Sequence, residues 1–224
     1  MKVLPVITGD GSHTLLVPEL HEHYHSVHGA IAESRHVFVE AGLNRLIPFK
    51  SKIRVLEIGF GTGLNALLTF FEARLKNVSV DYTAVEPYPL EPAIWEALNY
   101  PELLTFPDAR SVYRLLHTSP PDHLTRISPL FFLEKRVDRF QTAALPVASF
   151  DVVYLDAFGP EVQPEMWLPA IFEKLFRVMD HDSILVTYSS KGAVRRAMKQ
   201  AGFTVTKIPG PEGKREMTRA FRKG

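Results

Sequence analysis

Cysteine is absent from the 224 residues, which excludes disulfides and thiolate metal sites and removes any sign of an oxidising compartment. No apolar run approaches the ~20 residues that a membrane helix requires. The opening "MKVLPVITGDGSHTLLVPEL" contains no unbroken apolar segment of signal-peptide type, so the expectation is a cytoplasmic enzyme or binding protein. Internal repeats and low-complexity tracts are missing too. The length favours one domain over two.

Net charge is close to zero, at +1, but it is unevenly placed. From Lys191 onward ten Lys/Arg face only Glu212 and Glu216, a local net of +8, while everything before Lys191 sums to −7. A basic end on an acidic body suits a polyanionic partner, because phosphate contacts supply much of nucleic-acid affinity. The competing reading is a solvated helix face and a frayed tail.

The segments alternate in character. A leader over 1–50 carries a helix near 30–43, where "GAIAESRHVFVEAG" has apolar spacing close to 3.6 and a terminal glycine. Strands are expected at 53–58, 78–85, 130–137, 150–155 and 183–188. Helices are expected at 64–75, within 87–104, at 164–179 and at 191–201. Two short strands, 203–208 and 216–221, flank "PGPEGKR" as a hairpin, and the Pro-rich "TSPPDHLTRISP" reads as a surface insertion. Strands alternating with helices imply a doubly wound α/β sheet, mostly parallel, with one antiparallel C-terminal strand.

Ligands of such sheets sit at the carboxyl ends of the strands. Gly59, Gly61 and Gly63 stand there, in "VLEIGFGTGLN". The dinucleotide fingerprint G-x-G-x-x-G is lacking, since Leu64 occupies its third glycine position. The pattern present is E-x-G-x-G-x-G, with Glu57 two residues before the first glycine. A pyrophosphate would be repelled by that carboxylate, whereas a ligand carrying an ammonium and a sulfonium would be favoured. Glu86 ends the next strand, where an acid holds ribose hydroxyls. The stretch resembles the first motif of the class I S-adenosylmethionine-dependent methyltransferases. That resemblance implies S-adenosylmethionine as cofactor and a Rossmann-like fold. The third strand would deliver Asp138 near the adenine, with Arg139 and Glu134 as alternatives in register.

The run "FDVVYLDAFGPEVQPEMWL" ends another apolar strand in an acid, Asp156, set either for chemistry or as a turn cap. Together "LEIGFGTGLN", "VYLDAFGPEVQPEMW" and "GPEGKREM" resemble the MnmC-like family, as does the leader "YHSVHGAIAESRHVFVEAGL". The similarity runs from Tyr24 to Ala220. Family members methylate 5-aminomethyluridine at the tRNA wobble position, giving 5-methylaminomethyl-2-thiouridine. The resemblance therefore implies tRNA as partner, Asp156 as the catalytic carboxylate, and Glu57, Gly59, Gly61, Gly63 and Glu86 as cofactor contacts. Lys214 and Arg215, in a K-R-E signature with Glu216, are implied substrate contacts. Arg195 and Arg196 share a helix face with Lys199, where solvation and tRNA contact compete. Ala157 departs from the glycine that many members carry. With no second glycine fingerprint before Gly224, the expectation is the form without an FAD-dependent oxidase, a separate enzyme supplying the aminomethyl group. Residues 1–224 would make one methyltransferase domain, 1–50 packing near the active site of a 51–224 core.

Two other function classes compete: an aminopropyltransferase of spermidine-synthase type, which would want an acid-lined polyamine groove, and a non-catalytic RNA-binding protein that keeps the fold. The histidines His21, His23, His25 and His28 lack a strand or helix geometry to aim them at one ion, and no metal site is expected.

Overall fold

The computed structural model describes residues 2–224. Three short strands, β1 (Leu4–Ile7), β2 (His13–Val17) and β3 (Glu22–His23), form a small antiparallel sheet ahead of the main fold. The leader is therefore more regular than the sequence reading has it. Its turn is tied to the first helix, α1 (Ala30–Ser34), because Asp10 accepts from Ser12 N at 3.0 Å and from Ala32 N at 2.9 Å. The helix expected near 30–43 is α1 continued by a π-helical stretch, Arg35–Glu40.

The main sheet has eight strands in the order β10-β11-β9-β8-β4-β5-β7-β6. They are β4 (Lys52–Ile58), β5 (Ser79–Val85), β6 (Thr125–Ser128), β7 (Phe131–Arg136), β8 (Phe150–Leu155), β9 (Met179–Thr187), β10 (Thr204–Pro209) and β11 (Glu216–Arg222). The central run β9-β8-β4-β5-β7 is parallel, and β11 lies antiparallel between β9 and β10. The stretch read as a surface insertion supplies β6, antiparallel to β7 at the far edge. Its sequence, "TRIS", carries no apolar alternation that would mark it.

All six residues of β8 are buried, as a strand covered on both faces requires. Alternate residues feed two cores. Val55, Tyr82, Val152 and Tyr154 pack beneath α2 (Leu64–Lys76) and the leader. Leu56, Val85, Val153 and Leu155 pack on the opposite face, against α6 (Pro169–Val178) and α7 (Gly192–Gln200). Between β5 and β6 run α3 (Pro92–Trp95), α4 (Tyr100–Leu103) and α5 (Ala109–Thr118). The single helix expected at 164–179 is split into a 3₁₀ turn, Pro164–Trp167, and α6. Pro169 explains the break: it lacks an N–H and holds Leu168 extended, at φ −70° and ψ 153°.

Backbone hydrogen bonds continue past the strand ends, from Gly59 N to Val85 O at 3.0 Å, Asp156 N to Ile58 O at 3.1 Å and Glu86 N to Arg136 O at 3.0 Å. The carboxyl ends of β4, β5, β7 and β8 are thereby held level, along one rim.

Candidate active site

A cavity of about 370 Å3 opens over that rim, within the size range of small-molecule sites. Its floor is the turn after β4. Gly59 has φ +91°, and a Cβ there would stand 2.8 Å from the Asp156 carbonyl, so only glycine lets the two strand ends meet. A Cβ on Gly61 would meet the Tyr24 ring, which is part of the cavity wall. Thr62 fixes the turn from below: its carbonyl accepts from Tyr113 Oη at 2.7 Å and lies 3.1 Å from His117 Nε2, while its hydroxyl is 2.7 Å from His25 Nε2.

The acids meet here. Glu57 is fully buried at the end of β4. Its Oε1 accepts from Asn65 Nδ2 at 2.9 Å, and its Oε2 has no partner. The same Asn65 Nδ2 donates to Asp156 Oδ2 at 2.7 Å. Burial first, then the charge of Asp156, holds the Glu57 carboxyl well above the usual carboxylate range. Asp156, on the cavity wall at the end of β8, is pushed up to about 7, first by burial and then by Glu33, against the opposing pull of Asn65 and Lys214. Glu86 ends β5 and accepts from Gly61 N at 3.1 Å and Tyr88 N at 2.8 Å. Burial raises it while those two amides lower it.

The loop after β8 is pinned by three contacts. Trp167 Nε1 donates to Phe158 O at 2.8 Å, Tyr188 Oη donates to Ala157 O at 2.8 Å, and Phe158 N donates to Gln163 Oε1 at 3.2 Å. Phe158 then meets Tyr24 edge-on, with centroids 5.2 Å apart.

Of the residues singled out in sequence, Gly59, Gly61, Glu86, Asp156 and Lys214 line the cavity, with Glu57 and Gly63 directly beneath. Asp138 is not in the lining; its Oδ1 accepts from Arg139 N at 2.7 Å and Thr142 Oγ1 at 2.9 Å, closing a turn. Arg139, Phe140 and Gln141 reach the cavity from that loop. Lys214 ion-pairs with buried Glu33 at 2.8 Å and sits 4.1 Å from the centre of the Tyr188 ring. Arg195 donates to Ser190 O and lies 3.9 Å from Glu216, whereas Arg196 and Arg215 are exposed. Among the described residues no group of three or more His, Cys, Asp or Glu could hold a metal ion. His25 is buried, and desolvation lowers its pKa to about 4.

Sequence reasoning missed Asn65, Glu33, Tyr24 and Tyr188. The signal for Asn65 was an uncharged polar residue on the first turn of an otherwise apolar helix, two places after the last glycine.

A family described as "S-adenosyl-L-methionine-dependent methyltransferase" matches residues 135–223. The bifunctional protein MnmC for tRNA 5-methylaminomethyl-2-thiouridine biosynthesis from Burkholderia mallei is 31% identical over 91% of this chain and 33% of its own length. Its namesake from Ralstonia nicotianae is 33% identical over 87% of this chain and 31% of its own. The crystal structure of MnmC2 from Aquifex aeolicus superposes with a TM-score of 0.84 at 25% identity, covering all of this chain and 71% of that one. The chain is thus similar to MnmC proteins over most of its own length, and it has a class I methyltransferase fold. It spans about a third of the length of the curated relatives it matches. The likeness to MnmC2 takes in the leader as well as the sheet.

Proposed function

We propose that this chain is an S-adenosylmethionine-dependent methyltransferase acting on tRNA. It methylates the amine of 5-aminomethyl(-2-thio)uridine at the wobble position, giving 5-methylaminomethyl(-2-thio)uridine. The observation that carries the reading is the pair of strand-end acids Glu86 and Asp156 on one cavity floored by a glycine turn, with Glu57 buried beneath it, in a chain similar to MnmC over its length. The donor set fits the cofactor. Glu86 faces the cavity as a ribose ligand would, and Glu57 backs the glycine turn from beneath, with one buried oxygen unpartnered.

When bound, S-adenosylmethionine supplies an electrophilic methyl group on a sulfonium. The acceptor is a primary amine that is largely protonated near neutral pH, by analogy with a lysine reference pKa of ~10.4. Asp156 accepts a hydrogen bond from that amine and takes the proton that nitrogen must lose as it forms its new bond to carbon. As leaving group the bound cofactor would supply a neutral thioether. Tyr24 and Phe158 form an aromatic wall beside Asp156 against which a pyrimidine can lie.

Residues 1–224 would work as one methyltransferase unit, with 1–50 covering the cavity; Tyr24, His25 and Glu33 support this by lining it. A separate aminomethyl-forming activity would supply the substrate, and the cytoplasm would be the site of action; no helix among the described residues is long and apolar enough to cross a membrane. Five carboxylates line the cavity, so charge alone does not set an aminopropyltransferase aside; it is disfavoured because the relatives that this chain matches are MnmC proteins. The test is transfer of labelled methyl to bulk tRNA lacking the modification, followed by nucleoside analysis. Label in 5-methylaminomethyluridine derivatives is expected. Label in another nucleoside, or none, would sink the reading.

A further inference from the structure

Asn65 stands between two acids on neighbouring strands. Its Nδ2 carries two hydrogens, and the two contacts, 2.9 Å to Glu57 Oε1 and 2.7 Å to Asp156 Oδ2, use both. The amide cannot be turned round, because Oδ1 would then face two acid oxygens. Asn65 is itself 2% exposed, and its Oδ1 has no partner. Among the described residues no other side chain donates to the Asp156 carboxylate, whereas Glu57 also has the Tyr82 hydroxyl beside it. A buried acid with a single donor depends heavily on that donor, since charge-assisted hydrogen bonds are the stronger kind.

We propose that Asn65 is a positioning residue for methyl transfer: its one amide ties Glu57 and Asp156 into a pair that holds a single proton, keeping Asp156 as the charged member facing the cavity. This rests on the functional reading above only for what the charge is used for. Two carboxylates on one amide repel each other, so their titrations are coupled and belong to the pair. Above the Asp156 midpoint the proton resides on Glu57, which has no access to the cavity, and the charge on Asp156, which has. The charged and titratable groups around the pair come from every neighbouring element: Glu33 from α1, Tyr82 and Glu86 from β5, Tyr154 from β8, Tyr188 after β9, and Lys214 from the hairpin turn. Among the described residues Asn65 alone donates to both acids.

The test uses the full chain with its aspartates labelled at the carboxyl carbon, and the Asp156 signal assigned by its loss in Asp156→Asn. Titration between roughly pH 5 and pH 9 gives its midpoint directly. In Asn65→Leu, close in size but without donors, the midpoint should rise by about 1 pH unit or more, and the acidic limb of methyl transfer should rise with it while tRNA KM stays put. Asn65→Ser, with one hydroxyl hydrogen, should show a smaller rise. In the unaltered protein both Nδ2 hydrogens should shift together at the Asp156 midpoint, a readout that requires no variant. An unmoved midpoint in a folded variant, or one Nδ2 hydrogen indifferent to the titration, overturns the proposal. Should the unaltered protein methylate no tRNA, the functional reading fails, and the carboxyl titration still decides the role of Asn65.

Discussion

Asp156 is held at about 7, so a neutral solution leaves it divided between acid and carboxylate. A proton acceptor is lost when it is protonated, and methyl transfer should therefore fall as pH drops below about 7, the value set first by burial and then by Glu33. A pH–rate profile flat from 6 to 8 under roughly saturating substrate would remove Asp156 from the chemical step. Asp156→Asn should fold and bind S-adenosylmethionine normally, yet lose on the order of 10²–10⁴ in kcat, measured by single-turnover methylation of aminomethyluridine tRNA. Glu86→Ala should weaken cofactor binding by roughly 1–3 kcal/mol, read by calorimetry, because charge-assisted hydrogen bonds to ribose hydroxyls would go. Among individual residues, those that end apolar strands were legible in sequence: Glu57, Glu86 and Asp156 each follow a β run, and the turn geometry places them automatically. Asn65 and Glu33 were not, because each acts through a partner 91 or more residues away, Asp156 for one and Lys214 for the other. No local pattern encodes such a meeting.

At the scale of elements, β4, β8 and β9 are joined below the cavity by one aspartate. Asp151 is nearly fully buried and accepts from Lys50 at 2.5 Å, Arg54 N at 2.7 Å and the Arg54 guanidinium at 2.8 Å, and that guanidinium reaches on to Asp180 at 2.6 Å. Burial alone would raise Asp151, but Arg54 and Lys50 hold it below the ordinary aspartate value. The depressed folded value means that its contribution is present above ~3.9, the unfolded value, and is lost as pH falls through the lower folded one. Asp151→Ala should cost about 1.5–3 kcal/mol in denaturant unfolding at neutral pH, the range for hydrogen bonds to a charged group, because Lys50 and Arg54 are part-exposed and Arg54 keeps Asp180. A loss under ~1 kcal/mol would show the cluster to be solvated. The parallel strands were readable because burial on both faces makes them continuous apolar runs. The split at Pro169 was written in the sequence too, in the proline itself. β6 was hidden, since an edge strand needs neither apolar alternation nor length, and its pairing with β7 is a tertiary matter.

Over the molecule as a whole, the basic end divides into charges already engaged and charges left in water. Lys214 is held by Glu33, and Arg195 by Ser190 O, while Arg196 and Arg215 are exposed. Neutralising Arg196 and Arg215 together should raise tRNA KM, leave cofactor affinity unchanged, and lower the log–log salt slope by roughly 0.7–0.9 per lost phosphate contact. An unchanged slope would make both plain solubilising charges. The fold class was legible at this scale from alternation alone. The small leader sheet was not, because Gly-rich "TGDGS" masks a hairpin whose register is fixed by Asp10 and α1. The pairing of Lys214 with Glu33 closes a loop of 181 residues. Closing so long a loop must be compensated by contacts that already exist, and the entropy of doing so is least once the sheet between them has formed. The turn of the β10–β11 hairpin closes the cavity wall, so that wall is complete only when β11 is paired between β9 and β10.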